Sequence, residues 1–439
     1  MIRLRKKKIS VCFFITHVAR FKSSAFSLTL CRRRFKGVFM STLSRSRVTG
    51  ALLIVAGTTI GAAMLALPMT SIQIGFFNTV WLLTGMWVLM AFTALVTLEI
   101  NLRMAGKGPV QGTSVAGLAY NAFGRGGQVV AKASLLLLFY ALLAAYITGS
   151  SSLVKDGFRA VGLHCPFSLA AIIYTLCLGW AINSCVRMVD YANRFFFTIK
   201  MIVFVGMIVF LMPYVRLENL TYHHGSLSAL SIAAPIFFTS FGFHGSIPTL
   251  INYVGPHPRQ LRFVIILGSL FPLIVYLLWQ MATLGILPPS QAAAIAQTDV
   301  AGFVHHLNAV TNNPLLGGMM TLFTFLAITT SFLGVAIGLF DALAEGLSLP
   351  TTTQLERLKI SLLTFLPPLF FALFYHDGFI IALGYAAIAL SILAVLIPTA
   401  VALKWRRSQP AFSYQVSGGN IALIMALIVG LLIIMFKVL

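Results

Sequence analysis

Gly57-Thr58-Thr59-Ile60-Gly61 interrupts an apolar run that carries no ionisable residue from Val48 to Leu98. Glycine in a helix interior costs about 1 kcal/mol relative to alanine, so two glycines around this trio mark a weak point in a helix. Two readings follow from the pentapeptide. One is a small-residue packing face of the GxxxG kind. The other is a helix that opens, which inside a bilayer survives only where its freed N–H and C=O groups are buried in protein or line a cavity. The second makes the stretch a candidate binding site.

The surrounding composition sets the frame. Of 439 residues, 59% are hydrophobic and 9% charged, against roughly 25% charged in a soluble domain. The expected fold class is therefore an all-α polytopic membrane protein embedded in a lipid bilayer. Cys12, Cys31, Cys165, Cys177 and Cys185 show no CxxC spacing, so neither a zinc site nor a disulfide framework is indicated, and no cofactor or metal is expected. The net charge of +22 resembles a nucleic-acid signature until it is mapped: 13 of the 31 basic residues lie in residues 1–47, which hold no acid. No nucleic-acid partner is inferred. Residues 1–39 admit three readings: a basic arm on anionic headgroups, a targeting peptide without a clear cleavage site, or an over-extended frame ahead of a start at Met40. The last is adopted, with residues 1–44 set apart as a basic extension without an ordered fold.

Apolar windows of roughly 20 residues predict eleven spans, near 49–71, 78–102, 130–153, 167–187, 195–215, 226–254, 261–287, 315–341, 358–376, 379–403 and 418–437. With the N-terminus cytoplasmic and the C-terminus outside, fifteen basic residues fall in inner loops and four (Lys155, Arg159, Arg216, Lys437) outside, as the positive-inside rule requires. Val110–Gly124 reads as a short interfacial helix, and Pro289–Asn313 as a loop with helical pieces, either an external lid or an ordinary surface connection.

The sixth span holds a second interruption, Phe238-Thr239-Ser240-Phe241-Gly242-Phe243-His244, followed by Pro248. Gly61 precedes Pro68 by seven residues and Gly242 precedes Pro248 by six, so the two breaks are offset by about 180 residues. Paired interrupted helices point to an inverted repeat with its site at the midplane. The repeats are placed at 45–217 and 218–405, with 406–439 as an accessory eleventh helix. Freed N–H groups around Gly57, Thr58, Thr59, Gly61 and Ala62 suit a carboxylate at a half-helix N-terminus. Freed carbonyls at Thr239–Phe241 suit an α-ammonium. Phe238, Phe241 and Phe243 offer aromatic walls and Ser240 and His244 hydrogen bonds, though core packing is the commoner role for each type. Tyr140 and Tyr146 of the third span are within reach of this centre.

Lys200 lies six residues beyond Arg194 in the fifth span. It either snorkels to the interface or places an ammonium beside the first break as the coupling cation. Thr330 and Ser331 either ligate a cation or bond back to their own helix. Glu99, Asp341 and Glu345 read as boundary carboxylates paired with nearby basic residues. No cluster of nucleophile, base or metal ligands indicates an enzyme.

Four stretches resemble the hydroxy/aromatic amino acid permease family: Gly57–Pro68, Phe238–Pro248, Ser331–Asp341 and Phe365–Leu369. The resemblance runs from about residue 48 to 436. It implies a LeuT-type 5+5 fold and proton-coupled uptake of L-tyrosine across a bacterial inner membrane. It also puts Gly57–Gly61 and Thr239–Gly242 at the substrate, and makes Lys200 comparable to a lysine that replaces sodium in related proton-driven carriers. Tryptophan or general aromatic transport, or sodium coupling, stays open. Ala63 departs from the glycine usual in the family, and residues 1–39 have no counterpart in it.

Overall fold

The computed structural model describes residues 46–105, 113–184, 186–221, 227–349, 353–408 and 414–438. The chain divides into Met1–Ser46 and Arg47–Leu439; the expectation for residues 1–44 lies outside the described residues.

The described chain is helical, with no strand among the described residues. The first predicted span is a broken pair, α1 (Ser46–Thr59) and α2 (Ala63–Ser71), bent by 52°. Next come α3 (Phe76–Ala105), α4 (Val115–Ala160), α5 (Phe167–Ser184), α6 (Val186–Leu211) and a short α7 (Leu217–Thr221). The sixth predicted span is α8 (Leu227–Thr239) and α9 (Ile247–Val254), separated by a non-helical turn and a 3-10 segment at His244–Ser246. Then follow α10 (Pro258–Ile286), α11 (Ala292–Ala296), α12 (Val300–Thr311), α13 (Pro314–Gly346), α14 (Gln354–Phe374), α15 (Phe379–Ser391), α16 (Ile397–Ser408) and α17 (Gly419–Val438). Ten helices among the described residues are long and apolar enough to cross a membrane, and the bent pair makes an eleventh candidate.

Boundaries depart from the predicted windows where local chemistry overrides hydropathy. The predicted interfacial helix and third span run together as α4, which Ser114 caps by accepting from the Gly117 N–H. Gly124 interrupts it with φ 72° and ψ −156°, a conformation open to glycine alone. Residues 110–112 of the predicted helix lie outside the described residues. α15 and α16 are joined by a π segment, Ile392–Leu396, just before Pro398, whose missing N–H cannot continue the ladder. The 289–313 connection does hold helical pieces, α11 and α12, and His305 on α12 contacts Asp156 on α4 at 2.7 Å.

The buried apolar residues form two cores. The larger includes Ile60–Ile74 after the first break and Ala229–Phe241 before the second, with α4, α6, α10 and α13 around them. The other includes Ala51 and Val55 before the first break and Phe243–Val254 after the second, against α3 and α16. The chain thus passes from the second core to the first at one break, and back again at the other.

Candidate functional site

Both breaks arise from residues that prefer bonding locally to propagating a ladder. Thr58 Oγ1 donates to the Ile54 carbonyl at 2.9 Å and Thr59 Oγ1 to the Val55 carbonyl at 2.7 Å. Beyond them the backbone turns, and the Ala62 N–H donates to Ser331 Oγ of α13 at 3.0 Å. Among the described residues, no backbone partner is found for the N–H groups of Gly61 and Ala63. A Cβ on Gly61 would stand 2.8 Å from Ser331 Oγ, so only glycine lets α13 approach this closely. Tyr146 of α4 is buried and acts on the same Ser331 side chain.

At the second break, Thr239 Oγ1 and Ser240 Oγ donate to the Pro235 and Phe237 carbonyls at 2.8 and 2.7 Å. What faces the centre is backbone. The Tyr276 hydroxyl of α10 lies 2.7 Å from the Thr59 carbonyl and 3.0 Å from the Ser240 carbonyl, one proton shared between an acceptor from each break. Its ring meets Phe241 edge-on at 5.4 Å. One helical turn along α10, Trp279 Nε1 donates to the Met64 carbonyl at 3.1 Å, and Ser71 Oγ donates to Gln280 Oε1 at 2.9 Å.

Lys200 does not snorkel. It is 1% exposed, with Nζ 3.2 Å from the Ile60 carbonyl, 3.2 Å from Thr330 Oγ1 and 4.7 Å above the Phe197 ring. Among the described residues no carboxylate forms an ion pair with it. A buried ammonium with only neutral oxygens and a ring face around it is an expensive arrangement. Thr330 and Ser331 both bond back to the Ala327 carbonyl, at 3.2 and 2.9 Å, while Thr330 also accepts from Lys200 and Ser331 from the Ala62 N–H. A Cβ added at Gly57 would stand 3.8 Å from the same Phe197 ring.

The structure therefore brings together Gly61, Ala62, Lys200, Thr330, Ser331, the carbonyls of Thr59 and Ser240, and Phe241. Phe238 is fully buried in the same core, and Thr239 is buried beside it. Other predicted residues face elsewhere. The Tyr140 hydroxyl donates to the Leu363 carbonyl of α14 at 2.9 Å, and Gly242 faces Leu390. Phe243 belongs to the second core, and His244 turns to α3, with Nε2 2.9 Å from Thr93 Oγ1. Thr58 is exposed. Tyr276 and Trp279 were missing from the sequence reading; the polar run Tyr276, Gln280, Thr283 at helical spacing in the seventh span was their available signal.

A charge cluster ties the helix ends on the side where α3 terminates. Glu99 is wholly buried and receives a two-pronged Arg406 guanidinium at 3.1 and 2.6 Å, the Val416 N–H at 2.9 Å and Arg103 at 3.4 Å. The pairing predicted for Glu99 is thus present, whereas Asp341 and Glu345 stand exposed at the end of α13. Among the described residues no three His, Cys, Asp or Glu side chains converge as metal ligands.

Residues 44–437 match the tryptophan/tyrosine permease family. The chain is 37% identical over 390 residues to "Tyrosine-specific transport system 1" of Haemophilus influenzae, covering 88% of this chain and 96% of the relative. "Tyrosine-specific transport system 2" of the same organism is 38% identical over 397 residues, covering 89% and 96%. "Tryptophan-specific transport protein" of Pseudomonas aeruginosa is 32% identical over 396 residues, covering 88% and 93%. The match takes in every described span and both helix breaks, and the chain belongs to the tryptophan/tyrosine permease family.

Proposed function

We propose that this permease takes up an aromatic amino acid, L-tyrosine first, by proton-coupled symport and alternating access within a LeuT-type 5+5 arrangement extended by α17. It would sit in a bacterial inner membrane with its N-terminus cytoplasmic and its C-terminus periplasmic. Two relatives named for tyrosine support the substrate, and the loop charges support the orientation. The observation that carries the reading is the meeting of both breaks at Tyr276 with Lys200 on the first of them: Ile60 accepts from the amine, while Thr59 and Ser240 share one phenol.

In this mechanism the substrate carboxylate takes the N–H groups of Gly61 and Ala63 at the start of α2, where the helix dipole favours an anion. The α-ammonium takes carbonyls of the 239–242 turn, and Phe238 and Phe241 form the aromatic wall. A protonated Lys200 holds the Ile60 carbonyl and the Thr330 hydroxyl. Loss of that proton to the cytoplasm removes the charge that ties α1 to α6 and α13, so the cycle's ion and its hinge are the same group. The asymmetry of the first span supports alternating access, because all nine residues of α2 are buried while α1 exposes Leu53 and Thr58.

Uptake of labelled tyrosine, tryptophan and phenylalanine into proteoliposomes, under an imposed proton or sodium gradient, tests this directly. Tyrosine accumulation driven by ΔpH is the expected result. Accumulation that needs sodium and ignores ΔpH would overturn the coupling, and stronger tryptophan accumulation would favour the specificity named in the third relative. Tyr276→Phe is expected to slow initial uptake roughly tenfold, because two buried carbonyls lose their donor at about 1–3 kcal/mol. The rate is normalised to inserted protein, and an unchanged rate would show that the shared phenol is dispensable.

A further inference from the structure

At the start of α10, His257, Pro258, Arg259, Gln260, Arg262 and Tyr414 line a depression of about 500 Å³. Arg259 and Arg262 are exposed, and the Arg262 guanidinium lies 5.8 Å from the centre of the Tyr414 ring. Among the described residues no carboxylate lines the depression. Glu99, the acid that acts on Tyr414 electrostatically, is already held by Arg406 and Arg103. Burial pushes the Tyr414 phenol up to about 12, against a smaller opposing pull from Arg262, so it remains an O–H donor.

The face of α10 that continues from this depression is apolar and uncovered. Phe263, Leu267, Phe271, Ile274 and Leu278 are all exposed, whereas Leu261, Val264, Ile265, Gly268 and Ser269 on the opposite face are buried. From Phe263 to Ile274 the stripe runs about 16 Å at 1.5 Å per residue, close to the half-thickness of a hydrocarbon core of about 30 Å. A basic, phenol-bearing hollow above a leaflet-length apolar stripe has the two-part chemistry of one amphiphile. We infer that this face is a binding site for an anionic phospholipid of the bilayer, its phosphate between Arg259, Arg262 and Tyr414 and its acyl chain along Phe263, Leu267, Phe271 and Ile274.

The charge complementarity selects an acidic headgroup over a zwitterionic one. Arginine suits a phosphate better than a point charge does, because its fork can donate two parallel N–H bonds. The inference does not depend on the transported substrate.

Full-length protein in mixed micelles, titrated with phosphatidylglycerol or phosphatidylcholine and read by native mass spectrometry and thermal unfolding, tests it. Preferential retention of phosphatidylglycerol is expected. The Arg259→Gln/Arg262→Gln double variant should weaken that retention roughly thirtyfold, the equivalent of about 2 kcal/mol at about 1 kcal/mol per basic side chain. Arg159→Gln, at an exposed arginine in the last turn of α4, should leave it unchanged. Arg262→Lys, which keeps the charge and loses the fork, should fall between and shows that the double variant's loss is not misfolding. Equal retention by the wild type and the double variant would overturn the site, as would equal loss in Arg159→Gln. Inorganic phosphate stabilising the protein as well as phosphatidylglycerol does would assign the hollow to a free anion and overturn the lipid reading.

Discussion

Lys200→Gln is expected to abolish gradient-driven accumulation of tyrosine in proteoliposomes while leaving exchange between internal and external substrate measurable. Glutamine keeps N–H donors near the Ile60 carbonyl and Thr330 Oγ1, so the first break keeps its support. What it loses is the ability to change charge. A carrier with a permanently neutral group there equilibrates its substrate instead of concentrating it, because no differential affinity links proton and substrate. Counterflow without accumulation is the expected signature. Concentrative uptake at the wild-type level would show that the lysine only fills space. Thr330→Val is the milder companion: it removes one of two oxygen acceptors, and the accumulation ratio should drop without vanishing.

The second large effect is structural. Glu99→Gln should destabilise the folded permease by about 3–5 kcal/mol, because it leaves buried guanidinium charge without its counter-charge. The side chain gathers Arg406, Arg103 and the Val416 N–H, so the change loosens α3, α16 and the entry to α17 together. Against a total stability of about 5–15 kcal/mol this is a large fraction. Folded yield after extraction and the midpoint of thermal unfolding in detergent report it. Arg406→Lys should cost less, since a point charge keeps the ion pair and forfeits only the fork. An unchanged midpoint in Glu99→Gln would mean that the loop around Val416 holds these ends without the carboxylate.

The two breaks were legible because their cause is local. Glycines beside threonine or serine weaken a ladder wherever they sit, and the ladder ends just after Thr59 and Thr239 in the structure, although Gly57, Thr58 and Thr59 stay helical and their N–H groups are not freed as expected. Lys200 was legible only as a choice between two fates, since the sequence shows its depth along α6 but not which face of α6 is covered. Tyr276 was missed for a different reason. Its partners are carbonyls, which every residue has, so nothing in the sequence labels Thr59 and Ser240 as its acceptors. Tyr140 and Tyr146 show the limit set by helix phase: six residues at about 100° each leave them about 120° apart on α4. One accordingly reaches α14 and the other Ser331. For Glu99 the partner four residues away could be read from spacing, whereas Arg406 lies 307 positions distant.

The division of the apolar interior at the two breaks has a mechanical consequence. Inside each core, side chains interdigitate, and moving one means moving its neighbours. Across the seam the chain continues through turns at Ile60–Ala62 and Ser240–Phe243, where the named connections are single hydrogen bonds, from Tyr276 and Lys200 to backbone carbonyls and from the Ala62 N–H to Ser331. Such bonds net about 0.5–1.5 kcal/mol each and are exchanged one at a time with another donor, whereas an interlocked core yields only as a block. Elsewhere α3, α4 and α10 pass from one core to the other without a break, so only the two breaks are held by bonds of this kind, and a small polar solute arriving there trades hydrogen bonds with the chain without having to melt either side.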